Sequence, residues 1–93
     1  MSSLFVNGVK YPVLGQVSWG PGGARIPAFI EALVDIGTGD AADLDVTKAT
    51  IRLEVPTGAV AGHDMFQVAK LTTDSSSVFV CFQGRDVAKE PEP

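Results

Sequence analysis

Alternation of apolar and polar side chains is the strongest signal in the chain, and it is sharpest in the run Pro27-Ala-Phe-Ile-Glu-Ala-Leu-Val-Asp-Ile36. Ile30, Ala32, Val34 and Ile36 recur at every second position, so an extended strand lines them along one face. Phe29, Glu31, Leu33 and Asp35 fall on the other face, two large apolar groups interleaved with two carboxylates. A mixture of that kind suits neither a solvated face nor a core face. It predicts a strand whose second side meets something outside its own core. Near the C-terminus the run Ser77-Val-Phe-Val-Cys-Phe-Gln83 is apolar on both faces, Val78, Val80 and Phe82 opposing Phe79 and Cys81. A strand like that sits in the middle of a sheet, or has a face covered by another element or subunit.

Other segments follow the same period. Residues 4–6 and 9–14 flank Asn7-Gly8, whose tolerance of positive φ predicts a two-residue hairpin turn. Pro12 offers no backbone donor, which puts the second strand at an edge or ends its pairing early. Residues 16–19 continue it as a further short strand. Residues 47–55 alternate most cleanly, with Ala49, Ile51, Leu53 and Val55 opposing Lys48, Thr50, Arg52 and Glu54. Residues 56–58 read as a turn, residues 63–71 as a further strand, and residues 72–76 as a polar turn. Gly20-Pro-Gly-Gly-Ala-Arg25 has too much glycine for regular structure and reads as a loop, mobile in isolation and able to order against a partner. Between the strands, residues 37–45 break the pattern, and Thr38 or Asp40 is placed to cap one helical turn ending at Leu44.

About six strands with regularly spaced turns predict a mainly β domain, an antiparallel sandwich or partly open barrel with one short helical turn. Its expected extent is residues 1–88, with 89–93 an extended charged tail. A chain of 93 residues buries only roughly 60–65% of its unfolded surface, so association with copies of itself would add stability.

Charge and composition narrow the function classes. The net charge is −4 and the seven basic residues are scattered, which disfavours a nucleic-acid-binding surface. No apolar run is long enough to span a bilayer as a helix, and the start of the chain lacks the basic and apolar regions of a signal peptide. A soluble cytoplasmic product is the expectation. The single cysteine, Cys81, reads as a buried, inert thiol.

No reaction can be assembled from the residues present. Gly20-Pro-Gly-Gly23 lacks the Lys-Ser/Thr pair and following helix of a phosphate cradle. Asp35, Asp40, Asp43 and Asp45 are oxygen donors of the kind calcium takes, but their spacing is not that of an EF-hand loop, and capping with solvation accounts for them. His63 stands alone beside Asp64 and reads as a turn or surface residue, and Ser75-Ser-Ser77 has no nucleophile context. The expectation is a protein with no catalytic residues, metal or cofactor. Trp19 borders the glycine-rich loop and fits a core or an interface position equally.

From Ile26 onward, the apolar strand bounded by Pro27 and Asp35, the acidic loop reaching Asp43-Leu44, the alternating strand from Ala49 to the turn at Gly58, and Val80-Cys-Phe-Gln-Gly84 resemble the small tail tube proteins of Mu-like contractile-tailed bacteriophages. The opening LFVNGVKYPVLGQVSW is similar to that family's first hairpin. The resemblance covers most of the chain through loose positional patterns without fixed chemistry.

It implies a structural virion protein made in the bacterial host cytoplasm. Subunits of that family form hexameric rings stacked into a tube, with strands of neighbours joined into one inner barrel around the DNA channel. Implied partners are further copies of the chain, the tail sheath, and baseplate or terminator proteins, with DNA passing through without specific binding and no membrane. Trp19, Gly22, Gly23, Arg25, Phe29, Leu33 and Phe79 are the expected subunit contacts. Glu31, Asp35, Arg52 and Glu54 are expected at the lumen or an interface, and an acidic lumen lets DNA slide. Alternatives are another small virion β-protein (a head-tail connector, tail terminator or capsid decoration protein) or a monomeric ligand-binding β module.

Overall fold

The computed structural model describes residues 2–39, 44 and 48–90, with the backbone alone at residue 16. Seven strands account for most of it: β1 (Ser3–Val6), β2 (Val9–Gly20), β3 (Ala28–Asp35), β4 (Ala49–Val55), β5 (Gly58–Thr72), β6 (Ser77–Gly84) and β7 (Val87–Lys89). Asn7 and Gly8, at φ 50° and 86°, make the expected tight turn between β1 and β2. The Asn7 side-chain oxygen accepts the Thr50 N–H at 2.9 Å and the Asn7 backbone N–H donates to the Thr50 carbonyl at 2.9 Å, tying the turn to β4.

All pairings are antiparallel, and they run round a circuit: β1 to β2, β2 to β3, β3 to β6, β6 to β5, β5 to β4, and β4 back to β1. The two long strands close it by changing sheets. Residues 9–12 of β2 pair with β1, whereas residues 13–20 pair with β3. Residues 58–65 of β5 pair with β4, whereas residues 66–72 pair with β6. The result is a sandwich whose layers share their corner strands, rather than a continuous barrel. Turning a corner needs extra residues in the bending strand. Register shifts supply them between Val13 and Val17 of β2, and between Gly62 and Met65 and again at Val68 of β5.

The core lies between the layers. Leu4, Val6, Ile51, Leu53, Val60, Met65 and Val87 from one side meet Ile30, Ala32, Val34, Val78, Val80 and Phe82 from the other, all at most 3% exposed. Each large side chain among them contributes roughly 1.5–3 kcal/mol by leaving water. The alternation in β3 falls as its pattern predicts: Ala28, Ile30, Ala32 and Val34 are buried, and Phe29, Glu31, Leu33 and Asp35 are half-buried on the far side.

Two expectations differ in detail. β5 begins at Gly58 rather than near His63, because β4 and β7 hold the weakly strand-forming residues 59–62 from both sides. The C-terminal segment is not all free tail: Val87 is 2% exposed, residues 87–89 pair with β5, and the Glu90 N–H donates to the Ala59 carbonyl at 2.8 Å. Residues 91–93 lie outside the described residues, as do Asp40, Asp43 and Asp45 and most of the expected helical turn.

The two faces of β3 predict different mutational costs. Ile30→Ala should lower the unfolding free energy by about 2–5 kcal/mol. Leu33→Ala, on the opposite face, should cost the isolated subunit no more than ~1 kcal/mol. Urea denaturation of both variants at low protein concentration checks this.

Candidate functional site: an uncovered sheet face and a corner cleft

The sheet made by β3, β6 and the second halves of β2 and β5 has one face on the core. Its register assigns the other. Phe29 stands between Gly20 and Gln83, and Gln83 next faces Phe66. In the following row Ser18, Glu31, Cys81 and Ala69 are neighbours, and in the next Leu33, Phe79 and Leu71. Three of the expected contact residues, Phe29, Leu33 and Phe79, are thus brought together with Phe66, Ala69 and Leu71 on one surface. Phe66 and Leu71 are 55% and 63% exposed. The Phe29 ring lies across Gly20, where a Cβ would come within 2.7 Å of it, so the absence of a side chain at position 20 lets the ring lie flat on the sheet.

Sequence periodicity alone missed Phe66, Ala69 and Leu71, because the extra residue at Val68 shifts the alternation by one step. The only cue was the run of apolar residues that fits neither parity.

The expected charges divide between two places. Glu31 and Asp35 lie on the uncovered face, where the Asp35 carboxylate accepts the Gly37 N–H at 2.7 Å. Arg52 and Glu54 lie on the other sheet and engage each other. Arg52 binds Glu90 at 2.8 Å and Glu54 at 2.6 Å, and its guanidinium sits 5.5 Å from the centre of the Phe5 ring. The Glu90 carboxylate, then that of Glu54, raise the Arg52 pKa above its ordinary value. Exposed pairs of this kind contribute about 0–1 kcal/mol. Their visible role is to hold the C-terminal segment against β4.

Trp19 is half-buried against the core, on the side of β2 opposite to Ser18 and Gly20, so it does not join the uncovered face. Gly22, Gly23 and Arg25 lie in the loop beyond it. Two local constraints shape that loop. Gly22 has φ 78° and approaches Ala28 so closely that a Cβ would lie 2.6 Å from its nitrogen. The Gly23 N–H donates to the Ile26 carbonyl at 2.8 Å, which presents residues 24–25 at the tip. Arg25 is exposed and Ile26 is 67% exposed.

At the same end of the sheet, the bend in β5 opens a cleft of about 700 Å³. His63 and Asp64 form the corner, Asp64 held at φ 52°, a conformation that Asp tolerates better than most residues. Phe66 and Val68, the latter 50% exposed, supply the apolar part of the lining. Lys48 lines one part, and Gln83 and Gly84 at the end of β6, Arg85 and Asp86 of the turn to β7, and Pro27 line the rest. Lys48, Asp64, Arg85 and Asp86 enter no ion pair among the described residues. No group of three His, Cys, Asp or Glu suited to a metal occurs among the described residues, around His63 or elsewhere.

Compared with known proteins, the chain matches no family model, no curated protein and no solved structure.

Cys81 is buried beside Glu31, and three effects raise its thiol pKa: first desolvation, then repulsion of the thiolate by Glu31, then the hydrogen bond to the Glu31 carboxylate. Alkylation by iodoacetamide at pH 8 should therefore run at least roughly tenfold slower in the folded chain than in urea. Because the folded pKa is raised, the protonated thiol favours the fold below the ordinary thiol pKa. That contribution is lost as pH rises through the folded value. Glu31→Gln removes the two carboxylate effects and should speed the reaction. Mass spectrometry of timed samples measures both.

Proposed function

We propose that this chain is a structural, non-catalytic subunit that assembles head to tail with copies of itself, and that the assembly is a phage tail tube of stacked rings. The observation that carries the reading is a four-stranded antiparallel sheet with two open edges. Among the described residues no strand pairs with the outer edge of residues 14–20 of β2 or of residues 66–72 of β5. Three antiparallel pairings separate these edges, so β2 and β5 run in opposite directions. A neighbour set beside β5 therefore offers its β2 antiparallel, and repeating the step about an axis closes a ring. A monomer ordinarily protects such edges with charge, proline or a covering element. Here the β5 edge carries half-exposed Phe66, Val68 and Leu71, with Lys70 as its one charged residue.

The resemblance to Mu-like tail tube proteins supplies the particulars: hexameric rings, a tube around the DNA channel in the virion tail, and sheath, baseplate or terminator proteins as partners. The charge pattern is in keeping with a DNA conduit. Glu31 and Asp35 are the carboxylates that the register assigns to the uncovered face among the described residues, and a negative surface repels phosphates.

One observation favours a second reading. Phe29, Leu33, Phe79 and Leu71 make the same face apolar, which fits burial against protein better than a water-filled channel. A head-tail connector, terminator or capsid decoration protein would use the face that way.

Negative-stain electron microscopy of the purified chain tests both. Tubes support the tail tube, isolated rings or trimers support the second reading, and a monomer at every concentration contradicts self-assembly. Leu71→Lys, on the open edge, should raise the concentration needed for assembly at least roughly tenfold while leaving the circular dichroism spectrum unchanged. Assembly at wild-type concentration would remove the β5 edge from the contact.

A further inference from the structure

We infer that the glycine-rich loop of one copy seats in the corner cleft of the next copy, fixing the register between them. This rests on the head-to-tail reading above. The loop and the cleft belong to the same end of the sheet, because Gly20, where the loop leaves β2, and Phe66, where β5 enters the sheet, stand in one cross-strand row. The loop leaves the sheet at its β2 edge, and the cleft runs from Pro27 at the loop's base to the β5 edge, where Asp64, Phe66 and Val68 line it. A neighbour whose β2 runs beside β5 brings its loop toward the cleft.

The two surfaces match in kind. The loop presents Ile26, 67% exposed, next to the charged tip residue Arg25. The cleft presents half-exposed Phe66 and Val68 next to two carboxylates, Asp64 and Asp86. None of Arg25, Asp64 and Asp86 has an ion-pair partner among the described residues. Ile26 on Phe66 and Val68 removes apolar surface from water on both sides, and Arg25 answers the carboxylates. Lys48 and Arg85 are donors for the backbone carbonyls that a glycine-rich loop leaves exposed.

Preorganisation supports the assignment. The close approach of Gly22 to Ala28 and the hydrogen bond from Gly23 to Ile26 shape the loop before any partner arrives, so less freedom is lost on docking. On the cleft side, the extra residues in β5 turn Val68 out and hold Asp64 in a left-handed conformation. A strand paired regularly from end to end would have neither feature.

The test uses the full chain with Cys81→Ser, so that only introduced thiols react. Ile26→Cys and Val68→Cys are made in separate chains and mixed under assembling conditions with mild oxidation. A disulfide-linked dimer from the mixture, and little from either chain alone, is the expected result on a non-reducing gel. A dimer from Ile26→Cys alone would mean a two-fold contact between loops and would overturn the proposal. Assembled particles with no cross-link in the mixture would overturn it too, while leaving the head-to-tail reading in place. Absence of assembly by the wild-type chain would instead remove the reading on which the inference rests. Arg25→Glu gives an independent measure: the concentration needed for assembly should rise roughly tenfold, and an unchanged value would count against the contact.

Discussion

A sheet has two faces, and a two-layer domain covers only one face of each of its sheets. In this molecule the sheet of β3, β6 and the second halves of β2 and β5 carries large apolar side chains on both. Its inner face is filled by Ile30, Val34, Val80 and Phe82 against the opposite layer. Its outer face carries Phe29, Leu33, Phe79 and Leu71 with no layer above them among the described residues. The functional reading depends on that mismatch between apolar faces and available layers, since a face the chain does not cover is one that another molecule can.

The second constraint is the way the layers are joined. β2 and β5 are long enough to serve both sheets, and each must bend to do so. The bends make the rest of the surface. In β5 they place Asp64 at the corner, turn Val68 outward and open the cleft between Lys48 and the turn at Arg85. They also leave the second half of each long strand with one paired neighbour instead of two among the described residues. Open edges, the uncovered face and the cleft are therefore one consequence of a circuit closed by shared corner strands, and the assembly proposed here uses all three.

Much of this was legible in local pattern. The two faces of β3, the clean alternation of β4, the turn at Asn7-Gly8 and the central place of β6 each depend on residues close in sequence, and each is found as the pattern predicts. What was hidden depends on parity and on distant partners. An extra residue inverts every later side chain of a strand, so the outward turn of Phe66, Ala69 and Leu71 could not be counted from the start of β5. Trp19 is similar: the irregularity between Val13 and Val17 leaves its side undecided until β3 is placed beside it. Arg52 meets Glu90 across 38 residues, a pairing for which nothing local gives a signal. Residues 59–62 have little strand character of their own and owe their conformation to β4 and β7.

The central claim is that the sheet edges and the uncovered face close against other copies of the chain. Amide hydrogen exchange, followed by mass spectrometry from dilute to concentrated solution, reads that surface directly. The account predicts that protection rises with concentration in residues 14–20 and 66–72, whose outward amides have no strand partner among the described residues, while exchange in β1 and β4 stays constant. Equal exchange in those two segments at all concentrations, or protection appearing first on the sheet that carries Arg52 and Glu90, would contradict it.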